Sequence, residues 1–348
     1  MVRNIFGAMM AASLLLYGGV AFTGTSYKIV TASDKGTYFA IGKDLAKFVA
    51  PDADIDLEVL ATSGSAANIK LLRHEPGVKF AIVQADVYQA FIDRARSGNP
   101  EARKLIEPLR VILSLYNTEI HYIVRADSPL NYLHEIKDAK INGGLVGSGA
   151  ALITHTLYRM MFNQPIPEAN ASYISNEEAL VKLVSDKTID VVVVAAGQPA
   201  PLIANMKPEA QKFIKLLRFD TKHPSSQRPL TTYTAATVHA SSYPNLVKDS
   251  FTTIAVGAFL VTYDYNLKST VKNLVNFAES LCYNFSKLRA EGHPKWREVE
   301  LAFPKIGEGW IYYPPTTREI HRCLSVAKKA PNSRTACSAE DRIIGLCT

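Results

Sequence analysis

Gly36-Thr37-Tyr38-Phe39-Ala40-Ile41-Gly42 ends one apolar run, residues 27–32, and opens a stretch where Ile41, Leu45, Phe48 and Val49 recur at helical spacing. Three further segments repeat that placement. Ser63-Gly64-Ser65-Ala66-Ala67-Asn68 follows a strand-like run, residues 55–61, and precedes Ile69, Leu71 and Leu72. Val83-Gln84-Ala85-Asp86 follows the continuous apolar run 80–83, typical of a strand buried on both faces, and precedes a helix over 87–96. Gly147-Ser148-Gly149 follows a predicted strand over 139–146 and opens a helix over 148–162. Strand–helix alternation of this kind predicts an α/β fold with mostly parallel sheets. In open α/β sheets the crevice beyond the strand ends is where ligands bind. Unpaired N–H groups and the helix dipole at such starts suit an anion, so the pattern points to a small carboxylated molecule.

The alternation continues downstream. Residues 120–124 read as a strand, and Ser175 with Glu178 forms a capping-box pattern before a short helix. The β-branched run 189–196 reads as a buried strand ended by Gly197-Gln198-Pro199-Ala200-Pro201. An apolar run spans 252–261, a long helical stripe runs from Val271 to Leu288, and 222–229 reads as a surface loop. The tail after Ile320 is polar and basic and is expected on the outside.

At 348 residues with 47% apolar content, the chain can bury two cores. Its start has the pattern of a secretory signal peptide: Arg3, an uncharged run over 5–22, and small residues Gly19-Val20-Ala21. Residues 1–21 are therefore expected to be removed near Ala21, giving an exported, periplasmic protein. The net charge of +7 is spread along the chain with no basic stripe, which excludes a nucleic-acid partner. Four cysteines, Cys282, Cys323, Cys337 and Cys347, allow three pairings, and spacing does not choose among them. No metal-ligand pair occurs, and Gly147-x-Gly149-x-x-Leu152 lacks the third glycine of a dinucleotide fingerprint, so no cofactor is expected.

The order of the four segments resembles the solute-binding subunits of TRAP transporters of the TAXI type (TRAP-associated extracytoplasmic immunogenic proteins). The Gly-x-Tyr-Tyr-x-Ile-Gly pattern stands as residues 36–42, Ser-Gly-Ser-x-x-Asn as 63–68, Leu-Val-Gln-Ser-Asp as 82–86 and Gly-Ser-Gly as 147–149. The segment 122–128 is similar to a further family strand, and the resemblance covers roughly 27–315. Phe39, Ala85, Ala150 and the 138–140 stretch depart from the pattern, as does the cysteine-bearing tail. The resemblance implies a two-lobed periplasmic binding protein of type II. Lobe 1 would comprise 27–117 plus 235–320, lobe 2 would comprise 118–234, and 321–348 would form a tail. The chain would cross near Thr118 and Ala235, with a hinge between the lobes. It also implies a monomer that captures glutamate, glutamine, 2-oxoglutarate or another dicarboxylate and delivers it to a TRAP membrane subunit.

The candidate ligand-binding residues are Thr37, Tyr38, Ser63, Gly64, Ser65, Asn68, Gln84, Asp86, Ser148, Gly149, Gln198 and Pro199. Ser63–Ser65 and Ser148-Gly149 would clamp one anion from opposite lobes. Tyr38 could stack on the ligand or serve in the core, and Gln84 could orient a polar group. Asp86 is better suited to capping a helix, Asn68 to bracing its loop. No Gly-x-Ser-x-Gly elbow or nucleophile–base pair stands out, so a binding protein is favoured over an enzyme. A ligand sensor without a transport role, or a type II-fold enzyme, is the alternative. The lack of an arginine in these motifs weakens the dicarboxylate expectation.

Overall fold

The computed structural model describes residues 24–329. The first block runs β1 (Thr25–Val30), α1 (Thr37–Phe48), β2 (Ile55–Leu60), α2 (Ser65–His74), β3 (Val78–Gln84), α3 (Ala85–Arg96) and α4 (Pro100–Ile106). The second runs β4 (Leu109–Arg125), β5 (Ile141–Asn142), α5 (Gly149–Phe162), β6 (Ala171–Ser172), α6 (Asn176–Val181), β7 (Val191–Ala195), α7 (Pro201–Ala204), α8 (Pro208–Gln211), β8 (Ile214–Leu216) and β9 (Thr234–Val238). Then follow β10 (Phe251–Tyr263), α9 (Lys268–Tyr283), α10 (Phe285–Glu291) and α11 (Pro314–Lys329).

The strands form one sheet in the order β2-β1-β3-β10-β4-β7-β5-β6, with β8 beside β4 and β9 beside β10. Both flanks are parallel, β1 to β2 and β3 on one side, β5 to β6 and β7 on the other. Between them the two long strands β4 and β10 pair antiparallel with each other and with their outer neighbours. The mixed α/β class expected from the alternation is the one observed, and these two strands tie the halves together.

Four buried clusters divide into two pairs. In the first lobe, Ile41, Leu45 and Phe48 of α1 pack with Phe80 and Phe277 on one face of the sheet, and Ile69, Leu72, Tyr88 and Ile92 cover the other. Residues i, i+4 and i+7 of α1 form the apolar stripe that a core-facing helix needs. In the second lobe, Ile153, Leu157 and Tyr158 of α5 cover one face, and Ala179, Leu183 and Ile203 the other. β4 passes from the first pair of cores to the second between Tyr116 and Ile120. β10 returns between Val256 and Ala258. The return crossing expected near Ala235 therefore moves to Gly257. Tyr233, Val238, Tyr243 and Val247 all pack in the second lobe, because β9 is an edge strand on the second-lobe half of β10.

Three local expectations also change. The strand expected over 139–146 shrinks to Ile141–Asn142, because Gly143-Gly144 follows and Gly144 has φ +83°. The long helical stripe is broken at Asn284 into α9 and α10. The segment after Ile320 begins as helix: His321, Arg322 and Ser325 are exposed as expected, and Cys323 turns inward. Residues 321–329 continue α11, and Ile320 and Cys323 are buried. Of the three cysteine pairings, the one seen is Cys282–Cys323, which pins α11 to α9. Cys337, Cys347 and the expected signal peptide lie outside the described residues. Removing this bridge should cost about 2–4 kcal/mol, as for other loops of tens of residues. Urea melts of the Cys282→Ser, Cys323→Ser double variant check this. An unchanged midpoint would mean that packing alone holds α11.

Candidate functional site

A cavity of about 350 Å³ lies between the lobes. Its walls are the starts of helices from both sides: Gly36-Thr37-Tyr38 at α1, Ser63-Gly64-Ser65 at α2 and Gln84 ahead of α3 from the first lobe. Ser148-Gly149 at α5 and Ser175-Asn176 at α6 come from the second. Each start follows a strand of the parallel flanks, which is why four separate sequence segments converge here. Each helix N-terminus carries a partial positive charge of roughly half a unit, so the cavity favours negative charge although it holds few cations.

Eight of the twelve sequence-predicted residues line this cavity: Thr37, Tyr38, Ser63, Gly64, Ser65, Gln84, Ser148 and Gly149. Many of their polar atoms are engaged in building it. Thr37 Oγ1 donates to the Gly197 carbonyl at 2.8 Å, joining the lobes. The Tyr38 hydroxyl lies 3.4 Å from Thr118 Oγ1, and its ring meets Tyr116 edge-on, which are the contacts of a core tyrosine at the cavity wall. Ser65 Oγ accepts the Gln84 N–H at 3.0 Å, and Ser148 Oγ caps α5 by accepting the Ala151 N–H at 3.0 Å.

The two helix starts expected to clamp an anion touch each other. The N–H groups of Ala66 and Ala67 donate to the Gly147 carbonyl at 3.1 and 3.4 Å, so part of the α2 start is taken by the opposite lobe. Gly64 has φ +125°, a conformation open to glycine, and a Cβ there would sit 3.1 Å from Ser148 Cα. At Gly149 a Cβ would overlap the Gln84 side-chain amide. The lobes thus meet glycine against polar side chain. At the mouth, Lys35 of the first lobe pairs with Glu177 of the second at 3.3 Å.

Four predicted residues lie off the cavity. Asn68 is fully buried and braces its surroundings as expected of a structural residue. It donates to the carbonyls of Thr31 and Ile82 and accepts from Thr62 Oγ1. Asp86 accepts from Val87 N at 2.8 Å, Gln84 Nε2 at 3.3 Å and the Tyr233 hydroxyl at 3.2 Å. It braces the α3 start against the second lobe. Gln198 is also spent internally: it donates to Glu119 through N and Nε2 and to the Thr237 carbonyl, and accepts from His239 N. Pro199 follows it outside the lining. The reason is that Gln198 turns away toward Glu119 and Thr237, while Ala196 and Ala200 on either side of the Gln198-Pro199 pair line the cavity.

Burial raises the Asp86 carboxyl to about 6, against the lowering by its hydrogen bonds. A raised carboxyl pKa means that the folded state holds a proton the unfolded chain has lost. Stability from this group is present at pH below 4 and is lost as pH rises through about 6. Asp86→Asn should therefore raise the urea midpoint at pH 8 and change it little at pH 4. An equal effect at both pH values would show that the carboxylate is not desolvated.

Sequence reasoning missed a buried charged cluster behind the cavity. Lys295 is fully buried, with Nζ 2.6 Å from Glu119 Oε1 and 2.7 Å from Glu298 Oε2. Glu119 sits on β4 just past the crossing and is itself 4% exposed. Burial pushes its carboxyl up, and Lys295 pulls it back. Gly197 lets the cluster close, since a Cβ there would lie 2.9 Å from Lys295 Cε. No periodicity or motif marks these residues. The one available signal was the polar interruption Asn117-Thr118-Glu119 within an apolar stretch.

Residues 29–301 match the NMT1-like family. The chain belongs to that family. Among solved structures, it is similar to a binding-protein component of an ABC phosphonate transporter from Pseudomonas aeruginosa. The identity is 14%, 93% of each chain is covered and the TM-score is 0.50. It is also similar to PhnD1 from Prochlorococcus marinus in complex with methylphosphonate, at 11% identity over 86% of this chain and 98% of that one, TM-score 0.49. The periplasmic binding protein BugD matches at 14% identity over 88% and 97%, TM-score 0.48. The first likeness establishes the two-lobed periplasmic-binding-protein fold for this NMT1-like chain.

Proposed function

We propose that this protein is an extracytoplasmic solute-binding protein that captures a small carboxylate between its lobes and delivers it to a TRAP-type membrane transporter. The observation that carries this reading is the convergence of helix starts from both lobes on one cavity of about 350 Å³. That volume suits a metabolite and excludes a polymer. In the same reading the lobes hinge where β4 and β10 cross, at about Thr118 and Gly257, and residues 1–21 direct export. Likeness in fold to a protein named for phosphonate transport supports capture of an anionic solute. The order of the four segments supports the TRAP partner.

Binding fits better than catalysis. The cavity lining contains neither histidine nor cysteine, and the Ser65 and Ser148 hydroxyls accept backbone N–H groups with no base beside them. Thermal-shift measurements against amino acids, 2-oxo acids, dicarboxylates and phosphonates test the reading. A ligand at a hundredfold excess over its Kd should stabilise the protein by about 2.7 kcal/mol and be recovered unchanged. A response to phosphonates or neutral solutes with none to carboxylates would overturn the carboxylate assignment. Recovery of a converted compound would overturn the non-catalytic one.

A further inference from the structure

We propose, building on the carboxylate reading above, that the cleft selects monocarboxylates with an apolar body over dicarboxylates. Three side chains with formal charge line the cavity: Asp34, Lys35 and Glu177. Two carboxylates thus stand against one ammonium, and that ammonium already pairs with Glu177 at 3.3 Å. A first carboxylate can face the helix starts of α1, α2 and α5. A second has no cation left to meet.

The apolar part of the lining decides the rest. It includes a wall of Val194, Ala195, Ala196, Ala200 and Leu202, from the end of β7 and the loop into α7. Its backbone donors are largely spent. Ala196 N donates to the Glu119 carbonyl at 3.1 Å, Ala200 N donates to the Tyr243 hydroxyl at 2.8 Å, and Ala195 sits in the β4–β7 ladder. A carboxylate pressed on this wall would lose water and gain no hydrogen bond, which is costly for a charged group. A branched aliphatic chain there would bury apolar surface instead.

The test is calorimetric titration of the exported chain with two matched pairs. These are 4-methyl-2-oxopentanoate against 2-oxoglutarate, and leucine against glutamate. Within each pair the head is the same and the far end differs. Tighter binding of the aliphatic member by at least tenfold in one pair is expected. Equal or tighter binding of the dicarboxylate member would overturn the selectivity while leaving the carboxylate reading intact. Failure of all four acids to bind would overturn both. Leu202→Arg, at a half-buried position in the first turn of α7, adds a cation to the wall. It should shift the preference toward 2-oxoglutarate by tenfold or more, and an unshifted preference would count against the assigned wall.

Discussion

Lys295→Met is expected to destabilise the protein by about 3–5 kcal/mol, the cost of stranding a buried charge. The Lys295 ammonium makes contacts of 2.6 Å to Glu119 and 2.7 and 2.8 Å to Glu298 from a fully buried position. Glu298 is half exposed and can turn to water, but Glu119 cannot. Without the ammonium, Glu119 keeps only the donors of Gln198, at 3.0 and 3.1 Å. Its carboxyl, already raised by burial, should rise further in the variant. The sign follows: a raised carboxyl pKa gives stability that is present at low pH and lost as pH rises through it. The deficit relative to the parent protein should thus be larger at pH 8 than at pH 5 in urea melts. Adding Glu119→Gln should recover part of the loss, because the stranded charge is then gone. A deficit below about 1 kcal/mol, equal at both pH values, would mean that desolvation and attraction already cancel in the parent cluster. The cluster joins Glu119 on β4, Gln198 of the second lobe and Lys295 of the chain's return to the first. Its loss should therefore also be felt in how the lobes meet.

The contrast between what was and was not legible in the sequence has a physical source. Helix starts are written locally: a glycine or serine between an apolar run and a 3.6-residue repeat marks one. Hence α2, α3 and α5 begin within two residues of the positions read from sequence, α1 begins at Thr37 inside the 36–42 stretch read as a loop leading into it, and eight candidate residues fall on one cavity. What is not local stayed hidden. Strand β4 is 17 residues long, yet only its last third was legible, because Asn117-Thr118-Glu119 breaks its apolar pattern. Those polar residues are tolerated because Asn117 is exposed, while Thr118 is partnered by Tyr38 and Glu119 by Lys295, 176 positions away. Gln198 misled for the same reason: a polar residue at a strand end looks like a ligand reader until its four hydrogen bonds to Glu119, Thr237 and His239 are seen. Val194, Ala195 and Ala196 read only as the end of a buried strand and Ala200 as part of the loop after it, although all four line the cavity.

Gly149→Val is expected to weaken ligand binding by about a hundredfold while leaving the fold intact. Gly149 opens α5, and a Cβ there would overlap the side-chain amide of Gln84, which is 3% exposed and held by Asp86. A branched side chain cannot share that space, so Gln84 must leave its place or the lobes must part at the α3–α5 contact. In the proposed closing mechanism, a penalty of about 2.7 kcal/mol on the closed arrangement lowers apparent affinity by that hundredfold. The helix itself gains, since glycine is among the poorest helix formers. The signature is therefore a parent-like melting temperature without ligand and a lost shift with it. Gln84→Ala in the same chain removes the overlapping amide and should restore much of the affinity, unless Gln84 itself holds the ligand. In that case the single Gln84→Ala variant would bind as weakly as Gly149→Val. Unchanged binding by Gly149→Val would instead show that ligand capture does not need the lobes to meet at this contact, and the hinge-closing mechanism would have to be abandoned.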